Sequence, residues 1–306
     1  MLVEKESPEL QGVVEAAERL LERNAASRRG VPRIAERTPR SSYASHALLD
    51  GCESGESLVR VKGFTLRLGS FTSLEDVSFA VAKGQVVALC GPRGCGSFAM
   101  LDALGFTLPS AKSVDMHGSI ELGGHDAYRT LGVECSRKKV ARVFFGGAFE
   151  VQSVRNAIAF PVRQRGIHDD AAVGAEIDRA LRLIDAERRL GANLDCAVSS
   201  LPTLERRLVS LARALAKRPL MLLVSEPAMG LNRADSLVVS QALESVARKA
   251  GCAVVVATSD PQFVHAVADE AVVFMQGRVI EAGPISALGS AAADYRTRAF
   301  FERRIA

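Results

Sequence analysis

Gly91-Pro92-Arg93-Gly94-Cys95-Gly96-Ser97-Phe98 follows an apolar run, Gln85–Cys90, and leads into a helically spaced stretch, Phe98–Gly105. Strand, glycine-spaced loop and helix together build a phosphate-binding loop. The glycines let backbone N–H groups turn inward, and the start of the following helix favours an anion. Gly91 and Gly96 keep the glycine spacing of the pattern G-x-x-x-x-G-K-[ST]. The next two positions depart from it: Ser97 stands where the pattern has lysine, and Phe98 where it has the Mg²⁺-binding hydroxyl. On these residues alone, a plain tight turn between strand and helix explains the segment equally well. Arg93, inside the loop, has the charge to meet a phosphate, although a solvent-facing arginine is the commoner outcome. A second chemical group, Glu226, ends the apolar strand Leu220–Ser225. It is either a base that polarises water or simply the polar end of a strand.

The flanking elements follow from periodicity. Leu58–Val61, Phe64–Leu68 and Leu74–Val81 are short apolar alternations, and Val114–Leu122 and Val140–Phe145 are further strands. Helical spacing covers Asp169–Leu190, Leu204–Lys217, Ser236–Ala250 and Pro261–Asp269. Cys252–Thr258 is a buried strand, and Ala271–Phe274 with Arg278–Glu281 form a closing hairpin around Gln276-Gly277. Strands alternating with helices predict a parallel-sheet α/β core, and the hairpin-rich beginning adds an antiparallel β-subdomain. Residues 1–57 differ: Pro8 to Asn24 carries one amphipathic face, and Ser27 to Gly55 reads as a flexible linker. The expected division is an extension, 1–57, and a main domain, 58–306.

Composition narrows the class. A net charge of +4 over 306 residues gives no electrostatic footprint for nucleic acid. No apolar run approaches the ~20 residues that a bilayer span needs, and Met1 to Glu9 lacks a signal-peptide core. The expectation is a cytosolic protein, one that docks onto another chain if it serves a membrane. The six cysteines show no metal-ligand spacing, and no metal site is expected. Cys90 and Cys252, in apolar strands, read as small buried hydrophobes.

Further motifs occur in order along the chain. They are Lys83-Gly84, Gly118–Gly124, Arg206–Leu215, Val224-Ser225-Glu226-Pro227, Ala228-Met229-Gly230-Leu231-Asn232 and Val254–Asp260. With them, residues from about Leu58 to Arg303 resemble the ATP-binding subunit of ABC transporters. The resemblance implies a P-loop NTPase-like ABC ATP-binding domain with a parallel-sheet core, an antiparallel β-subdomain and a helical subdomain. Val143–Phe149, Ser153-Val154-Arg155, Ala159–Arg163 and Asp294–Phe301 are similar to lipid-trafficking (Mla/Mce-type) importers.

Against that family the departures are many. Besides Ser97 and Phe98, Phe145 replaces the Q-loop glutamine, Ser225 the metal-side aspartate, Ser259 the switch histidine and Asn232 the D-loop aspartate. The signature loop reads Leu201-Pro202-Thr203-Leu204-Glu205, and Pro202 removes an N–H donor. Leu68 takes the adenine-stacking position, with Phe71 close by. Phosphoryl transfer is mostly positioning and charge stabilisation, and one cationic contact can be worth roughly 10³–10⁵ in rate. The resemblance therefore implies a pseudo-ATPase whose one remaining catalytic group is Glu226. Its ATP is bound weakly or not at all by Gly91, Pro92, Arg93, Gly94, Cys95, Gly96, Ser97 and Phe98, and Mg²⁺ lacks its ligands. The implied partners are a membrane permease subunit and a second ABC ATP-binding subunit, in a homodimer or heterodimer. Two alternatives stay open: an active transporter ATPase with rearranged ligands, and a scaffold or regulator outside transport.

Overall fold

Apolar residues at alternate positions give strands one buried face, and in this chain the central strands are buried on both. The computed structural model describes residues 57–108, 114–292 and 294–304, all within the unit Ser41–Ala306. The amphipathic stretch and linker expected before Ser57 lie outside the described residues. A six-stranded sheet runs β10-β9-β3-β8-β7-β6, where β3 is Val86–Cys90, β6 Val140–Val143, β7 Met221–Ser225, β8 Ala253–Thr258, β9 Glu270–Met275 and β10 Arg278–Pro284. Strands β6, β7, β8, β3 and β9 pair in parallel, and β10 closes the sheet as an antiparallel hairpin with β9. Every residue of β3 and β8 is buried, as expected of parallel strands covered on both faces.

The pleat sorts β3 between two cores. Val86, Ala88 and Cys90 face one apolar cluster, while Val87 and Leu89 face the other. The first cluster is filled by helices α3 (Val154–Gln164), α4 (Asp170–Leu183), α6 (Thr203–Leu215), α7 (Arg233–Ala250) and α8 (Pro261–Val267). The second holds helix α1 (Ser97–Leu104) and an antiparallel sheet of order β2-β1-β4-β5. That sheet comprises β1 (Ser57–Leu68), β2 (Phe71–Ala82), β4 (Val114–Leu122) and β5 (His125–Asp126). The parallel core, antiparallel subdomain and helical subdomain expected from the sequence are all present. Chain order also places α2 (Val133–Lys139), α5 (Glu187–Leu190), α9 (Ile285–Ala291) and α10 (Tyr295–Phe301).

Several local expectations need correction. The two short alternations at 58–68 are one strand, irregular in register around Gly63. The helix expected over Asp169–Leu190 breaks after Leu183, because Asp185 turns to a φ of 52° and its carboxylate is held by Lys249 and Ser245 of α7. The strand expected to reach Phe145 stops at Val143. Helix α3 arises where no helix is expected, since Pro161 lies inside it. Proline has no N–H to offer the carbonyl four residues back. Arg213 of α6 donates to that carbonyl instead, Nη1 to Ala157 O at 2.7 Å, with its guanidinium 5.1 Å from the ring centres of both Phe149 and Phe160.

A second arginine-rich join ties α4 to the end of α6. Glu176, with a side chain 10% exposed, accepts from Arg165 at 3.1 Å, Arg179 at 3.2 Å and Arg218 at 3.1 Å. Arg165 also donates to Ala216 O and Arg179 to Leu215 O, carbonyls at the end of α6. Burial pushes the Glu176 carboxyl upward, but the three guanidinium groups overcome it and hold the group down at about 2.

Candidate functional site

The glycine loop leaves the C-terminal end of β3, between β8 and β9. Open parallel sheets place their ligand crevices at this edge. Gly91 has a φ of 149°, and a Cβ there would lie 2.3 Å from Phe274 O of β9. Gly96, with a φ of 114°, heads α1, where a Cβ would sit 3.0 Å from Gly277 Cα. Neither position accepts a side chain without movement of backbone. The turn is set by Cys95 N donating to Pro92 O at 3.0 Å and Gly277 N donating to Cys95 O at 2.7 Å. The first amides of α1 have no acceptors within the helix. A glycine turn running into such a helix start has the chemistry to hold a phosphate.

The side chains of the loop divide sharply. Arg93 is exposed, as its solvent-facing reading expects. Ser97 is 3% exposed, and its Oγ accepts the Cys95 thiol at 3.4 Å. Burial pushes the Cys95 thiol up, with Ser97 pulling it part of the way back. Phe98 is 38% exposed. Leu68 and Phe71 face each other across the β1–β2 hairpin end.

Glu226 follows β7, which β8 separates from β3, at the same edge of the sheet. Its backbone continues the ladder by donating to Ala257 O at 2.8 Å, then turns to a φ of 42° that non-glycine residues rarely adopt. Its carboxylate reaches across to the end of β8. Thr258 Oγ1 donates to Oε2 at 2.9 Å, and Ser259 donates to Oε1 through both its backbone N–H and its Oγ, each at 2.9 Å. Asn232 caps α7, its Oδ1 accepting Asp235 N at 2.9 Å. Pro202 and Thr203 are exposed at the start of α6.

The residue that the sequence does not single out is Arg207. It is 7% exposed, on the apolar face of α6 with Leu204, Leu208 and Leu211. Nη1 donates to Pro227 O at 2.8 Å and Glu226 O at 3.3 Å, Nη2 donates to Met229 O, and the guanidinium lies 4.5 Å from the Phe145 ring centre. A charged residue in a helical apolar register is the signal that would have found it.

Comparison with known proteins finds relatives in sequence and in structure. A family model described as ABC transporter matches residues 74–229, just over half of the chain. The chain is 32% identical over 227 residues to the spermidine/putrescine import ATP-binding protein PotA of Pseudomonas aeruginosa, a match covering 72% of this chain and 58% of that relative. It is 27% identical over 285 residues to a probable anion import ATP-binding protein of Haloferax volcanii, covering 87% of this chain and 94% of the relative. Among solved structures, a nucleotide-free ATP-binding cassette from an ABC transporter superposes with a TM-score of 0.67 at 18% identity, over 80% of this chain and 98% of that one. The cbiO1 protein of Clostridium perfringens, part of the cbiONQ transporter complex, gives 0.66 at 22% identity, over 78% and 92% of the two chains. The structural likenesses bear on the fold, and the sequence match to the family model extends from β2 through the glycine loop and Glu226 to Met229. This chain belongs to the ABC transporter family and carries that family's ATP-binding domain.

Proposed function

We propose that the chain is a cassette subunit that hydrolyses ATP feebly or not at all and serves a membrane permease in a structural or regulatory role. The observation that carries this reading is the state of Glu226. Both oxygens of its carboxylate are engaged by Thr258 and Ser259, so the group straps two strand ends together. The glycine loop fits a phosphate, but the residues beside it do not fit Mg²⁺. Phe98 offers an apolar ring, and Ser225 a hydroxyl where a carboxylate is needed. Ser97 is short, buried and committed to Cys95, and supplies no cation. No phosphoryl-transfer step follows from these groups.

The partner side of the proposal rests on exposed apolar surface. Phe144, Val151 and Phe160 are 59%, 81% and 46% exposed across the segment from β6 to α3, a face suited to another protein chain. Among the described residues no helix is long and apolar enough to cross a membrane. We place the chain at the cytoplasmic face of the inner membrane, held there by a permease and paired with a second cassette. The curated relative PotA is named for polyamine import, and this chain spans 58% of its length. Our own reading of the cargo is a lipid, supported by the importer-like segments Val143–Phe149 and Ala159–Arg163.

Calorimetric titration of ATP into the full chain, with and without Mg²⁺, followed by steady-state phosphate release, tests the reading. No binding up to millimolar nucleotide, or binding without turnover, supports it. Turnover that disappears in Glu226→Gln overturns it in favour of an ATPase with rearranged ligands. The exposed Arg93 is the observation that keeps that second reading in play, since it alone places a positive charge in the loop. Co-purification with a permease separates both from a scaffold outside transport.

A further inference from the structure

Arg207 is costly as placed. A guanidinium that is 7% exposed on an apolar helix face needs compensation, and an aliphatic side chain would pack there without it. Among the described residues its compensation contains no carboxylate. It consists of the carbonyl oxygens of Glu226, Pro227 and Met229 and the face of Phe145, while Nε has no hydrogen-bond partner among the described residues. These contacts join helix α6, which carries Arg207, to two other stretches of chain: the turn after β7 and the segment after β6. A planar, five-donor fork can meet carbonyls in several directions and stack on an aromatic ring at once; lysine lacks the planar fork and glutamine the charge.

The turn it grips is also the strained one. Glu226 has a φ of 42°, and its side chain is anchored on the opposite side by Thr258 and Ser259. We infer that Arg207 is a latch: a positioning residue that holds the Glu226–Met229 turn and the Phe145 segment on α6. Displacing either segment from α6 removes part of the buried guanidinium's compensation, which couples the two segments through one side chain.

Hydrogen-exchange mass spectrometry on the full chain tests this with Arg207→Gln, Arg207→Lys and Phe145→Leu. In Arg207→Gln, exchange at 143–150 and at 226–231 is expected to rise together by about tenfold or more, with β3 unchanged. Arg207→Lys is expected to fall between wild type and Arg207→Gln, because an ammonium replaces the charge but not the fork. Phe145→Leu, which keeps apolar bulk, is expected to quicken 226–231 as well as its own segment. A rise in Arg207→Gln confined to one segment overturns the latch. A uniform rise throughout Arg207→Gln hands the decision to Phe145→Leu, where an unchanged 226–231 overturns it and a quickened one upholds it. The ATP titration and phosphate release described above are read separately: turnover sinks the non-hydrolytic reading and leaves the exchange pattern, and so the latch, to stand on its own.

Discussion

Ser259 holds one oxygen of Glu226 twice, through its backbone N–H and through its hydroxyl, each at 2.9 Å. The contact joins the ends of β7 and β8 and gives a carboxylate at a strand end a structural duty. Glu226→Gln is therefore expected to lower stability by about 1–3 kcal/mol, because a charged acceptor of three donors is lost. Thermal unfolding checks it. A group acting only as a base would leave the melting temperature near wild type when replaced by its amide.

The Glu176 carboxyl, held at about 2 by three arginines, makes a pH-dependent contribution. Its value in the fold lies below the ordinary 4.5, so the contribution is fully present above about 4.5 and fades as pH falls toward 2. Glu176→Gln should be less stable than wild type at pH 6 by up to about 3 kcal/mol, with the gap closing in acid. Urea midpoints at pH 6 and pH 3 measure the two gaps. A gap that widens in acid contradicts the assignment.

Two glycines with positive φ should respond very differently to alanine. At Gly91 the new Cβ meets Phe274 O at 2.3 Å, whereas at Gly230, with a φ of 77°, nothing lies within 4 Å. Gly230→Ala is expected to cost about 1–2 kcal/mol from the left-handed backbone alone. Gly91→Ala should cost more than about 3 kcal/mol, or prevent folding, because β9 must move. Expression yield and unfolding midpoint of the pair report the difference.

Thiol chemistry tests the two-sided burial of the sheet. Cys90, Cys95 and Cys252 are buried, while Cys135 and Cys196 are exposed. Burial pushes the Cys90 thiol well up and that of Cys252 to about 12. In a Cys52→Ser chain, an aromatic disulfide reagent should modify Cys135 and Cys196 in the fold and the other three only after denaturation. Raising the pH to about 9, past the ordinary thiol value, should not expose them. Rapid native labelling of Cys95 would contradict the packed loop.

The strand–loop–helix at Gln85–Leu104 was legible because its signals are local: β-branched apolar residues, spaced glycines, then helical periodicity. The strand end at Glu226 was legible for the same reason. What stayed hidden depends on residues distant in sequence. The break at Asp185 has no glycine or proline to announce it and is fixed by Lys249 and Ser245. Arg207 looks like one more basic residue beside Arg206 until Phe145 and the Glu226 turn arrive around it. The partners of Glu226 lie more than thirty positions on, Thr258 at the end of β8 and Ser259 just past it, and no local pattern announces that they hold this carboxylate.

Pro161 and Arg213 carry a consequence for how this chain can change over generations. The proline leaves the Ala157 carbonyl without its helical donor, and Arg213 supplies one from a neighbouring helix. The two positions are thus epistatic. Losing Arg213 while Pro161 remains strands a carbonyl, whereas replacing Pro161 by alanine first restores the helical bond and frees position 213 to vary. Mutational paths through this pair run in one order, so a deep library should recover Arg213 substitutions chiefly on backgrounds that have already lost the proline.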